Sequence, residues 1–181
     1  KFIVTFFAFF SPSLKLKSGR KISLIGNGPP VIFSPGLFGI MPRQIYSNVL
    51  DELKKNLTIV SFDDYSPILA KDINDAVYSI MVDSVGFISH SSFDINILKS
   101  EKINHAVMYD PITNPDLGLG GFTQKPVKTT YPSLVIRAGK AYDTNVPIPE
   151  YLKPNIHGDN KDISYDDMGH IDILDDYWAD L

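Results

Sequence analysis

The sequence predicts an α/β fold with a mostly parallel central sheet, an N-terminal antiparallel hairpin and helices on both faces of the sheet. The hairpin is indicated by apolar–polar alternation in residues 13–17 and 21–25, with the turn signal Ser18-Gly19-Arg20 between them. From Val31 onward the pattern changes to short apolar runs separated by segments with helical spacing. Strands that alternate with helices favour a parallel sheet with both faces covered.

The chain has 181 residues, so we expect a single domain over 1–181, with 1–30 as an N-terminal strand and hairpin region. Its composition, 44% apolar and 21% charged, is typical of a soluble globular protein. The net charge of -4 and the lack of a basic run argue against a nucleic-acid binder. The absence of cysteine excludes disulfides, zinc–thiolate sites and a cysteine nucleophile. It does not determine the cellular compartment, and both a secreted protein and a part of a larger assembly are compatible with it.

The apolar run at residues 2–10 is far shorter than the ~20 residues that cross a bilayer. Its aromatic and β-branched residues favour a strand. The alternatives are the remnant of a signal-peptide core and a docking surface for a protein partner.

The other elements follow in order along the chain. The predicted strands are short apolar runs bounded by turn residues, at 31–33, 57–62, 84–89, 104–109, 133–137 and 162–165. The predicted helices have apolar residues at helical spacing or occupy short connections, at 42–56, 71–82, 93–99 and 171–178. In a sheet of this kind ligands bind at the carboxyl ends of the strands. Polar residues that follow strands are therefore the candidates for chemistry.

The segment Ser89-His90-Ser91-Ser92-Phe93 follows an apolar strand and places a serine where a sharp strand-to-helix turn is expected. We interpret Ser91 as a nucleophile because it is central in this pattern, whereas Ser89 and Ser92 are not. The alternative is a serine that caps the next helix. His90 is interpreted as a packing or substrate-facing residue.

A serine nucleophile needs a base, and a histidine with an ordinary pKa of ~6.5 suits neutral pH. His170, which follows Gly169 in the loop after the last predicted strand, is the candidate base. His105 falls inside a predicted strand, and His157 falls in a predicted loop where it is expected to be solvated.

A carboxylate must orient the base, and two aspartates follow strands at suitable places. Asp110 precedes Pro111 at the end of one strand, and Asp143 follows another; their alternatives are an Asp-Pro turn and a solvated loop residue. Two backbone N–H groups, those of Leu37 and Ser92, are expected to form the oxyanion hole.

Two further features are not interpreted as sites. The glycine-rich segment 118–122 lacks the strand–helix context of a phosphate loop and is expected in a mobile loop or partial lid. The aspartates near His170 have no recognised metal-binding spacing, so no metal and no cofactor is implied.

At this point the chain resembles the α/β-hydrolases of the chlorophyllase and lipase-like, polyester-hydrolase branch, over about 31–176. The resemblance is carried by four stretches: 31–36, 46–60, 107–112 and 168–176. The last is the most specific, because Gly169-His170-Ile171-Asp172-Ile173-Leu174-Asp175-Asp176 is similar to the family signature Gly-His-x-Asp-x-Leu-Asp-Asp. The resemblance implies ester hydrolysis by Ser91 and His170, and it favours Asp110 over Asp143 as the acid.

The chain departs from the family pattern in three places. Ser89 and Phe93 replace glycines of the elbow, and Pro35 replaces the histidine of the oxyanion loop. The helix after the elbow and the insertions that cover the substrate are reduced.

We therefore expect a serine esterase or lipase-like enzyme acting on a small-molecule or lipid-like ester with an apolar part. The residues expected to bind it are apolar and flank the site: Leu37, Phe38, Ile40, Met41 and Phe93. An acyltransferase, which passes the acyl group to an acceptor other than water, is a variant of this interpretation. The alternative from another class is an inactive descendant that serves as a structural or interaction module.

Overall fold

A computed structural model describes residues 13–112, 127–140, 156–158 and 160–174. Several predictions fall outside these ranges: the apolar run 2–10, the glycine-rich segment 118–122, Asp143, and the end of the predicted helix 171–178.

The described chain forms ten strands and three short α-helices. The strands are β1 (Ser13–Lys15), β2 (Lys21–Gly26), β3 (Pro30–Ser34), β4 (Thr58–Phe62), β5 (Val85–His90), β6 (Ile103–Tyr109), β7 (Val127–Lys128), β8 (Ser133–Lys140), β9 (Ile156–His157) and β10 (Asn160–Gly169). The helices are α1 (Gly36–Gly39), a single turn in which Leu37 and Phe38 have non-helical backbone angles, α2 (Ser47–Leu53) and α3 (Ala70–Ser79), with 3₁₀ turns at Arg43–Tyr46 and Ile95–Lys99.

Eight strands form one sheet in the order β1-β2-β4-β3-β5-β6-β8-β10. The pairs β1–β2 and β2–β4 are antiparallel, and every later pair in this sheet is parallel. This confirms the predicted fold class. The carboxyl ends of β5, β6, β8 and β10 consequently meet at one edge, which is where the candidate residues lie.

Each face of the sheet has its own core. On one face, α3 and the Ile95–Lys99 turn pack with Ile73, Val77 and Leu98 against Phe87 and Met108. On the other, the segment before α2 packs Ile45 and Tyr46 against Phe33 and Ile59. The alternation of side chains along β3 explains this division, because Ile32 belongs to the first core and Phe33 to the second.

The helices are shorter than the sequence predicted. The predicted helix 42–56 divides into a 3₁₀ turn and α2, and the segment after the elbow forms only the 3₁₀ turn Ile95–Lys99. The described residues 171–174 form turns, and the Asp172 carboxylate accepts the Gly169 N–H there. The prediction that His157 lies in a loop was wrong, since it belongs to β9, which pairs with β7.

Candidate active site

Ser91 lies at a sharp turn directly after β5. Its φ is 58°, in the left-handed region that non-glycine residues rarely adopt. The turn is held by two backbone hydrogen bonds: the Ser91 N–H donates to Tyr109 O at 3.0 Å, and the Ile112 N–H donates to Ser91 O at 3.4 Å. The end of β6 therefore fixes this serine in the strained conformation typical of a nucleophile elbow.

Asp110 and His170 form a buried pair beside this turn. Oδ2 of Asp110 lies 2.6 Å from Nδ1 of His170, and both side chains are almost fully buried. The other carboxylate oxygen accepts the Ala138 N–H of β8 at 3.1 Å. Because a carboxylate oxygen accepts, Nδ1 of His170 is the donor in this contact.

The loop that carries His170 is fixed through its backbone. The His170 N–H donates to Lys140 O at 3.1 Å, and the Gly169 N–H donates to Oδ2 of Asp172 at 2.7 Å. The Tyr109 hydroxyl donates to Gly169 O at 2.9 Å. Burial, followed by the charges of Asp172 and Asp110, raises the pKa of Tyr109, so its phenol keeps this proton.

The loop after β3 meets the elbow through its backbone. Leu37 and Phe38 have φ values of 53° and 62°, and the Phe38 N–H donates to Ser92 O at 2.6 Å. In the described part of the chain, no acceptor contacts the N–H of Leu37 or of Ser92. These are the two donors expected to form the oxyanion hole, and the Phe38–Ser92 bond joins the segments that carry them.

Backbone strain is concentrated at this edge of the sheet. Among the described residues, five non-glycine residues have a positive φ, and four of them are Leu37, Phe38, Ser91 and Asp110. Each such residue costs on the order of 1–3 kcal/mol, and strain of this kind clusters at functional sites.

His90 is buried between the two loops, in a packing position. Its Nδ1 lies 2.7 Å from the Tyr46 hydroxyl and its Nε2 lies 2.8 Å from His170 O. Burial and, to a lesser extent, the neighbouring His170 lower the pKa of His90 to about 3. The ring is therefore neutral at physiological pH.

Tyr46 is the residue of this site that the sequence analysis missed. Its hydroxyl accepts the Gly36 N–H at 2.9 Å, and burial raises the pKa of its phenol. It lies in the segment predicted as the helix 42–56, and no sequence signal distinguished it from the residues around it.

The residues expected to contact substrate occupy different environments. Leu37 is 46% exposed, whereas Phe38 is 2% exposed. Ile40 and Met41 are partly buried. Phe93 is packed in the core, with its ring centroid 5.5 Å from that of Phe87.

Ser89 and Phe93, the two residues that depart from the elbow pattern expected from the resemblance, are buried. Ser89 pairs with Ser34 across β5 and β3, and both hydroxyls are buried with no partner among the described residues. The Ser92 hydroxyl is buried in the same way. Phe93 is followed by Asp94, which caps the 3₁₀ turn by accepting the Asn96 N–H at 3.0 Å. No α-helix begins within the described segment that follows Ser91.

Over the described ranges, no group of three or more His, Asp or Glu side chains is arranged to hold a metal ion. In those same ranges no helix has the length and apolar character needed to span a membrane.

Comparison with solved structures shows the class of fold. The chain is similar to an enol-lactonase from Burkholderia xenovorans LB400, with a TM-score of 0.62, 11% identity, and coverage of 90% of this chain and 94% of that one. It is similar to a marine microorganism esterase, with a TM-score of 0.61, 13% identity, and coverage of 83% and 92%. It is also similar to epoxide hydrolases of the α/β-hydrolase superfamily from metagenomes of hot environments, with a TM-score of 0.61, 12% identity, and coverage of 92% and 94%.

The chain thus has the fold of the α/β-hydrolase superfamily. No family model matches it, and no curated protein sequence matches it.

Proposed function

We propose that this protein is a serine hydrolase that cleaves carboxylic esters through an acyl-enzyme. The observation that carries the proposal is the buried contact of 2.6 Å between Asp110 and Nδ1 of His170, at the sheet edge where Ser91 occupies a strained turn. Burial of a carboxylate–imidazole pair is costly unless the pair is hydrogen-bonded, and here both carboxylate oxygens have donors.

In this proposal Ser91 Oγ attacks the ester carbonyl while Nε2 of His170 takes its proton. Asp110 holds the ring in the required tautomer and stabilises the imidazolium that forms. The N–H groups of Leu37 and Ser92 donate to the oxyanion of the tetrahedral intermediate. His170 then returns the proton to the departing alcohol, and water releases the acyl group by the same steps in reverse.

The proposed substrate is a small-molecule or lipid-like ester with an apolar part. Leu37 exposes its apolar side chain beside the expected oxyanion hole, and Ile40 and Met41, which follow in the sequence, are partly buried. The sequence around His170, which resembles the family signature, supports a relationship to the chlorophyllase and lipase-like branch of the superfamily. Acyl transfer to another acceptor would use the same residues.

A second candidate is a protein that retains the fold without turnover. The specific observation in its favour is the shortened segment after Ser91, where the 3₁₀ turn begins only at Ile95. In the usual arrangement a helix N-terminus next to the nucleophile adds positive potential at the oxyanion. This chain would depend on its two N–H donors alone.

A fluorophosphonate probe separates the two candidates. We expect it to label the folded wild-type protein and not the Ser91→Ala variant, whose folding is checked by circular dichroism and thermal melting. Ser89→Ala and Ser92→Ala are matched controls, because both serines are buried beside the elbow, and both variants should still be labelled. Failure of the folded wild type to react would favour the inactive candidate.

A further inference from the structure

Four groups from separate segments form one chain of hydrogen bonds behind the candidate site. The Gly36 N–H lies 2.9 Å from the Tyr46 hydroxyl, which lies 2.7 Å from Nδ1 of His90. Nε2 of His90 lies 2.8 Å from the backbone oxygen of His170. The chain therefore runs from the loop of the proposed oxyanion donors, through the elbow, to the loop of the proposed base.

The chemistry of the two ends fixes the direction of every bond. The carbonyl oxygen of His170 can only accept, so Nε2 of His90 carries the ring proton. Nδ1 must then accept, and the Tyr46 hydroxyl donates to it. The phenolic oxygen in turn accepts the Gly36 N–H, while Met41 Sδ, a weak acceptor, lies 3.7 Å away. All four groups are satisfied with one neutral imidazole in the middle.

The hydrogen-bonded groups are closely packed. A Cβ added at Gly36 would lie 3.2 Å from the Tyr46 oxygen and 3.3 Å from Nδ1 of His90. The His90 ring lies against the His170 ring, with centroids 4.8 Å apart, and against Tyr109, with centroids 5.5 Å apart. Movement of either loop would therefore break a bond inside a buried network, where an unpaired polar group is costly.

We propose that His90 and Tyr46 are positioning residues: they hold the Gly36–Leu37 loop and the His170 loop in fixed positions on either side of Ser91. This inference rests on the proposed function, because it assigns to the pair the alignment of the oxyanion donors with the base. Neither residue contacts the reacting atoms; each acts through the backbone of another segment.

Substitutions of His90 can break the hydrogen bond to Tyr46 and the hydrogen bond to His170 separately. Asparagine places an acceptor near the position of Nδ1 and keeps the bond to Tyr46, whereas glutamine places a donor near Nε2 and keeps the bond to His170. Leucine removes both bonds, and Tyr46→Phe removes the bonds to Gly36 and His90 while retaining the ring.

The activity measurement is kcat and KM for a short-chain aryl ester. We expect His90→Leu to lower kcat at least tenfold with KM changed less than threefold, and His90→Gln and His90→Asn each to recover part of the loss. The double variant Tyr46→Phe/His90→Leu should lose less activity than the product of the two single effects, because both changes remove the Tyr46–His90 bond. Independent, multiplying effects, or no recovery by either amide, would overturn the inference.

A second measurement judges the inference without any activity. Imidazole ¹H–¹⁵N correlation spectra of the wild-type protein should show His90 as the Nε2–H tautomer, neutral at pH 5. Hydrogen exchange of the Gly36 amide should be at least tenfold faster in Tyr46→Phe and near wild type in His90→Gln. An Nδ1–H tautomer or an unprotected Gly36 amide in the wild type would overturn the positioning role. An inert wild type with the expected spectra would instead overturn the proposed function alone.

Discussion

The Asp110 carboxylate and the His170 ring are in contact at 2.6 Å, although they are 60 positions apart in the chain. The contact exists because β6 and β10 both end at the edge of the sheet where β5 presents Ser91. Asp110 itself has a φ of 40°, and its N–H donates to Ile136 O at 2.6 Å, so its backbone is held by β8. The carboxylate of Asp110 is thus fixed by β6, which precedes it, by β8 and by the loop after β10. This is the basis of the first prediction.

Replacing the carboxylate should remove most of the turnover while leaving the fold intact. We expect Asp110→Asn to lower kcat by about 10³–10⁴-fold, because an amide no longer selects the tautomer with basic Nε2. The measurement is hydrolysis of a short-chain aryl ester. Asp167→Asn, at an exposed position of β10, is the control and should remain within twofold of wild type. Asp143→Asn should also have a mild effect, and a large loss there with a small one at Asp110 would reverse the assignment of the acid.

The positive φ at Ser91 predicts that glycine is more stable than alanine at this position. Glycine adopts a positive φ without steric cost, so Ser91→Gly should be more stable than Ser91→Ala by about 0.5–1 kcal/mol. Chemical denaturation of both variants measures the difference, and neither should react with a fluorophosphonate. The same glycine–alanine pair at Ser89, inside β5, should show the opposite sign. If glycine is also the less stable residue at position 91, the strain does not exist in solution.

Burial of neutral His90 predicts a pH dependence of stability. Its folded pKa of about 3 lies below the ordinary histidine value, so the unfolded chain binds the additional proton first as the pH falls. The stabilisation is complete above ~6.5 and is lost as the pH falls from there towards 3. Between about pH 6 and pH 4 the loss should be ~1.4 kcal/mol per pH unit.

Denaturation of wild type and His90→Gln at several pH values tests this, because the other titrating groups are common to both proteins. The stability difference between them should shrink steadily from pH 6 to pH 4. His105→Gln is the control for loss of a histidine elsewhere in the sheet, since His105 is exposed on β6. Parallel profiles for wild type and His90→Gln would show that His90 is not buried as a neutral ring.

The close packing at Gly36 predicts that even one methyl group is harmful. In Gly36→Ala the new Cβ would lie 2.8 Å from Met41 Sδ and would press on the Tyr46–His90 pair. Met41 can move, whereas the hydrogen-bonded pair cannot move without losing a bond. We expect a destabilisation of about 1–3 kcal/mol and a loss of kcat in the aryl-ester assay. A variant with wild-type melting temperature and turnover would show that this loop is freely adjustable.

The sequence predicted the sheet well because its strands carry strong local signals. The alternation in residues 13–25 and the apolar runs that follow are properties of neighbouring residues, and the structure confirms both the hairpin and the parallel strands. The helices were predicted less well. Residues 93–99 have suitable composition, but Asp94 uses its carboxylate to cap a 3₁₀ turn and to accept the Ala70 N–H from α3.

The site was only partly predictable for a related reason. Ser91, His170 and Asp110 each follow a strand, which is a local signal. The hydrogen bond between Tyr46 and His90 joins residues 44 positions apart and depends on where the segment before α2 packs against the end of β5, which no local pattern records. The β7–β9 pair was missed because each strand has only two residues.

The most direct test of the central claim is to locate a covalent adduct on the protein. The folded wild type is treated with a fluorophosphonate, digested, and analysed by tandem mass spectrometry of the peptide that spans Ser89, Ser91 and Ser92. We predict a single phosphonyl group on Ser91 Oγ, lost in Ser91→Ala and strongly reduced in Asp110→Asn. No adduct on the folded protein, or an adduct on Ser89 or Ser92, would contradict the account.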